Sequence, residues 1–127
     1  MTEFESVIER GPQTLAEERR ERAILVGVDR PGLKWPLASS LAELERLADT
    51  AGAETVAVTT QRLDAPNPRT FVGSGKADQI AELARAHSAD LVIFDDELTP
   101  SQQANLEKVM DKSVKVIDRT ALILDIF

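Results

Sequence analysis

The stretch Phe71-Val72-Gly73-Ser74-Gly75-Lys76-Ala77 carries the residue types that can hold an anion. Gly73 and Gly75 admit backbone conformations with positive φ that other residues avoid. A helix opening at Ser74 or Gly75 would point unpaired N–H groups and a positive dipole end outward, where phosphates and carboxylates settle. Lys76 would add a point charge there. The plainer reading of the same residues is a loop-to-helix turn with a solvated lysine. A nucleotide P-loop is excluded, because that motif needs Gly, four residues, then Gly-Lys-Ser/Thr. Thr70 stands where its first glycine should be, and Ala77 where its Mg²⁺-binding hydroxyl should be.

A second chemistry is carried by acids. Asp29, Asp95 and Asp96 each follow an apolar run. Carboxylates clustered at strand ends can hold Mg²⁺, and beside the glycine turn they could bind a nucleotide or act as a phosphoacceptor site. Equally, such residues start turns. The chain has no cysteine and a single histidine, His87, which leaves no thiolate nucleophile, no disulfide and no histidine-based metal cluster. No Ser-His-Asp or Cys-His set can be assembled, so no catalytic residue and no metal ligand is assigned.

The elements that would position these residues read as alternating strands and helices. Residues 23–28, 54–60, 90–95 and 114–117 read as strands, the first and third without a polar face, as in a parallel sheet. Ser40 with Glu43 fits a capping box, a second helix follows Lys76, and Thr99-Pro100-Ser101-Gln102 opens a third with a cap, a first-position proline and a box. Asp118 caps a last apolar segment. The expected fold is α/β, a four-stranded, mainly parallel sheet in the order 2-1-3-4 with helices on both faces. Residues 70–72 have room for a short extra strand. The switch point lies between the first and third strands at their carboxyl ends; Asp29, Asp95 and Asp96 would line it, and the glycine turn opens at the same end of the sheet.

At 127 residues the chain is one domain's length. Residues 1–22, broken by Gly11-Pro12 and rich in mixed charge, read as a flexible arm, and 23–127 as the domain. The net charge of −7 argues against coating nucleic acid by bulk electrostatics, and neither DNA nor a membrane is an expected partner. No apolar run approaches the ~20 residues of a membrane span, and the expected setting is cytoplasmic.

Three segments in order carry a resemblance: Phe71-Val72-Gly73-Ser74-Gly75-Lys76; Asp95-Asp96-Glu97-Leu98-Thr99-Pro100-Ser101-Gln102-Gln103-Ala104-Asn105-Leu106-Glu107; and Val116-Ile117-Asp118-Arg119-Thr120-Ala121-Leu122-Ile123-Leu124-Asp125-Ile126-Phe127. Together they resemble the N-terminal domain of the HflX GTPases. The resemblance implies a protein that associates with the large ribosomal subunit and splits stressed ribosomes. It also implies a helical hairpin and a GTP- and Mg²⁺-binding G domain downstream of this chain. On that footing this chain is a fragment, not itself an enzyme, without its own cofactor, that faces rRNA and its own G domain. Gly73, Ser74, Gly75, Lys76, Arg69 and Arg119 are then the expected contacts to RNA phosphate. The alternative is a stand-alone nucleotide- or Mg²⁺-binding domain using Asp29, Asp95, Asp96 and Lys76.

Overall fold

The computed structural model describes residues 6–9 and 20–126. Its elements run β1 (Ser6–Glu9), β2 (Glu21–Asp29), α1 (Leu37–Thr50), β3 (Ala53–Arg62), α2 (Ser74–Ala86), β4 (Leu91–Phe94), α3 (Pro100–Val109), β5 (Lys115–Asp118) and α4 (Arg119–Ile126). The sheet order is β1-β3-β2-β4-β5. β2 through β5 pair in parallel, in the order expected for them.

The count of four strands is corrected by β1, which joins β3 antiparallel at the sheet edge. It falls in the stretch read as a flexible arm. Its residues are all exposed, so they carry no burial pattern. What holds them is the open edge of β3, whose backbone groups need partners. Ser6 Oγ meets Thr60 Oγ1 at 2.7 Å, and Thr59 Oγ1 donates to the Ser6 carbonyl at 3.0 Å. His87, at the C-terminus of α2, pairs with Glu9 of the same strand. β2 also begins inside the supposed arm. Arg22 N donates to Asp90 Oδ2 at 2.8 Å, and Arg20 is tied to Asp49 at 2.9 Å. Residues 1–5 and 10–19 of the arm lie outside the described residues.

Central β2 is buried from Ala23 to Val28, and its alternate side chains feed two cores. Ile24 and Val26 share one core with Ile80 of α2 and Leu106 of α3. Leu25 shares the core on the other face with Leu44 of α1 and Leu122 of α4. Right-handed crossovers demand this split, since the chain moves one way along the sheet through α1 and the other way through α2 and α3. At Gly27 helix α1 comes so close that a Cβ would sit 2.9 Å from Leu37 Cδ1.

Two local expectations fail. Helix α1 starts at Leu37 behind Pro36 and has no side-chain cap, because Ser40 gives its hydroxyl to Asp95 instead. Residues 70–72 form no strand. Asn67 and Phe71 exchange backbone hydrogen bonds of 2.9 and 2.8 Å and close the segment on itself as a small loop. The capping box of α3 forms as read, with Thr99 and Gln102 bonded reciprocally.

Candidate functional site

The switch-point crevice between β2 and β4 is closed by ion pairs. After β2, Arg30 grips Asp96 bidentately at 3.0 and 2.9 Å. After β4, Asp95 accepts Arg119 Nε and Nη2 at 3.1 and 2.5 Å and the Ser40 hydroxyl at 2.6 Å. Arg119 also reaches Glu43 at 2.7 Å and the Ser40 carbonyl at 2.8 Å. The hydrogen bond to Asp96 raises the Arg30 pKa against the cost of its burial. Burial lowers that of Arg119, but its bonds to Asp95 and then Glu43 outweigh this, and the net shift is upward. Asp29 is exposed at the end of β2, and its carbonyl accepts Leu63 N at 2.9 Å. Among the described residues no group of three or more His, Cys, Asp or Glu is placed to hold a metal ion. The three crevice acids do not converge on one centre, because two of them are already neutralised by separate arginines. Arg119, expected among the RNA contacts, spends its donors inside the fold, joining α4 to α1 and to the end of β4.

The glycine turn is half as expected. Gly73 precedes α2, no side chain caps the first turn, and Ser74 and Gly75 are exposed. A Cβ at Gly75 would meet nothing within 4 Å. Lys76, however, is 2% exposed. It shares the inward stripe of α2 with Ala77, Ile80, Ala81 and Ala84; the spacing to Ile80 and Ala84 is four residues each time, which puts all three on one face. The point charge expected at the surface is therefore inside the fold.

Neither glycine takes a positive φ. The left-handed residue here is Phe71, with φ 66°, a conformation that costs about 1–3 kcal/mol in a residue other than glycine. Packing holds it there. The Phe71 ring meets Phe94 edge-on at 6.3 Å, and the Arg30 guanidinium lies 5.6 Å over its face. Gly73 is needed for close approach rather than for φ: its N–H donates to the buried Gln61 Oε1 at 3.0 Å, and a Cβ would lie 3.3 Å from Gln61 Nε2.

Arg69 is exposed at the tip of the Asn67–Phe71 loop. Helix α3 secures that loop by two side chains: Gln102 Nε2 donates to the Asn67 carbonyl and Asn105 Nδ2 to the Arg69 carbonyl, both at 3.0 Å. Between this loop, α2 and α3 lies a groove of about 300 Å³, lined by Asn67, Arg69, Ser74, Asp78, Asn105 and Lys108 among others. Sequence reasoning found Arg69 and Ser74 but missed Asn105 and Lys108. The available signal was their three-residue spacing on α3, continuing from Gln102.

No helix among the described residues is long and apolar enough to cross a membrane. A family model described as the GTP-binding GTPase N-terminal domain matches residues 38–127. The GTPase HflX of Flavobacterium psychrophilum is 45% identical over 108 residues, which is 84% of this chain and 26% of that protein. The GTPase HflX of Escherichia coli is 49% identical over 87 residues, 68% of this chain and 20% of that protein. The chain thus spans about a quarter or less of these curated relatives. Among solved structures, a GTP-binding protein from the archaeon Sulfolobus solfataricus in complex with GDP has the same fold, with a TM-score of 0.59 at 18% identity over 84% of this chain and 30% of that one. On these matches the chain belongs to the family of GTP-binding GTPase N-terminal domains, that of the HflX GTPases.

Proposed function

We propose that this domain is the ribosome-facing and regulatory module of a cytoplasmic HflX-type GTPase. In that protein GTP and Mg²⁺ belong to a separate G domain, and the whole associates with the large ribosomal subunit and splits stressed ribosomes. The observation that carries the reading is the exposed, uncapped first turn of α2 at Ser74 and Gly75, set beside the tethered loop that presents Arg69. Backbone N–H groups at such an end favour phosphate oxygens, and rRNA is the phosphate-rich surface of the subunit. Lys76 and Arg119 have no part in this contact.

Cosedimentation of the longer HflX-type polypeptide carrying this domain with purified large subunits tests the reading. Gly75→Glu puts a carboxylate into open space at the helix end and should weaken sedimentation at low salt without lowering the melting temperature. Sedimentation that is unchanged by Gly75→Glu, and unchanged in its salt dependence, removes this edge as the contact and leaves docking on the G domain as its role.

A further inference from the structure

We propose that the groove between α2 and α3 receives an RNA sugar–phosphate backbone, with Arg69 and Lys108 as its phosphate contacts; this rests on the ribosome-facing reading and gives it a location. The two cations come from different elements, both are exposed, and neither enters an ion pair among the described residues. Arg20, Arg22, Arg30, Arg85 and Arg119 each meet a carboxylate; Lys34, Arg46, Lys112 and Lys115 are exposed without one among the described residues as well, but they do not line this groove.

Arg69 is also held in place. Its N–H donates to Asn67 Oδ1 at 2.8 Å, and its carbonyl accepts Asn105 Nδ2 at 3.0 Å. A cation on an immobile backbone loses less conformational freedom on binding. A nucleic-acid strand offers a charge about every 3.4 Å, so one strand can meet a loop arginine and a helix lysine together. Ser74 adds a hydroxyl of the kind that meets phosphate oxygens.

Two features constrain the contact. The chain's net charge of −7 opposes a polyanion at long range, and Asp78 lines the groove itself. Attraction is therefore local, and removing the Asp78 charge should strengthen it.

The test is sedimentation of the same polypeptide with large ribosomal subunits from about 50 to 200 mM salt. Arg69→Ala with Lys108→Ala should lower the log–log salt slope by about 1.4–1.8, two phosphate contacts at about 0.7–0.9 each. For contacts that vanish at 1 M salt, this corresponds to about 25- to 60-fold weaker binding at 0.1 M. Asp78→Asn should bind more tightly. An unchanged melting temperature in each variant shows that folding is not the cause, and Arg69→Lys should keep the wild-type slope.

A wild-type protein that does not sediment with subunits removes the ribosome-facing reading, and this proposal with it. Wild-type sedimentation with an unaltered slope in the double variant overturns the groove alone. Displacement of the protein by millimolar inorganic phosphate at constant ionic strength assigns the groove to a small anion and overturns the proposal. Tighter binding of polyglutamate than of polyuridylate assigns it to an acidic protein, with the same consequence.

Discussion

Arg119→Ala should be among the most damaging single substitutions at the switch point. The Asp95 side chain is 7% exposed and the Arg119 side chain 21%. Truncating Arg119 strips two N–H donors from Asp95 and leaves it, among the described residues, the Ser40 hydroxyl at 2.6 Å. Removing one partner of a buried pair costs about 3–5 kcal/mol, and the retained hydroxyl argues for the low end, about 3 kcal/mol. The Glu43 contact, with its carboxylate 61% exposed, adds at most about 1 kcal/mol. A loss of about 3–4 kcal/mol in a chain of 127 residues corresponds to roughly 11–15 °C in melting temperature. Urea unfolding followed by circular dichroism measures it. Because most of the cost is a stranded charge, adding Asp95→Asn should recover part of it, with a coupling of about 1–3 kcal/mol in the double-mutant cycle. A loss below about 1 kcal/mol, or an additive cycle, would show that Arg119 is an ordinary surface arginine, and the assignment of its role as a fastener would fall.

The pH behaviour of that penalty has a definite sign. Folding raises the Arg119 pKa, so the pair's stabilisation is complete at neutral pH and is lost only as pH rises through the folded value; the cost of Arg119→Ala should be equal at about pH 7 and pH 10. Gln102→Ala removes the side-chain half of the capping box and the tether to Asn67, while the Gln102 N–H stays on Thr99 Oγ1, and should cost about 1–2 kcal/mol in urea; no measurable loss would deny that this side chain holds α3 and its loop. Gly75→Ala should be neutral or stabilising by about 0.4–1 kcal/mol, whereas Gly73→Ala presses on Gln61 and should melt lower; the reverse order would contradict the turn's geometry. Calorimetric titration with millimolar Mg²⁺ should give no site-binding heat, because Asp95 and Asp96 already have arginine partners; saturable heat abolished by Asp96→Asn would reinstate the acidic crevice.

What could be read ahead of the structure followed from burial. Ala23-Ile24-Leu25-Val26 is apolar on both faces because helices cover both, and once such strands alternate with helices the crossover rule leaves few orders open. Ser6–Glu9 escaped because nothing in four exposed residues marks a strand; the vacant edge of β3 makes it one. Lys76 was misplaced for a different reason. Charge suggested solvent, while its position on the stripe with Ile80 and Ala84 puts it inside. The fate of the acids was hidden because their partners are remote in sequence, with Asp95 resting on Ser40 and Arg119, and Asp96 on Arg30.

One of these remote pairs also reaches the loop on the flank of the crevice. Arg30 closes the crevice by holding Asp96, and the same guanidinium covers Phe71. Phe71, turned left-handed with its ring against Phe94, closes the loop whose tip carries Arg69 outward. The arginine that shuts the usual ligand position of this fold thus shapes the loop on the flank. Loss of its carboxylate partner by Asp96→Asn should disturb both places, loosening Arg69 although Asp96 does not line the groove.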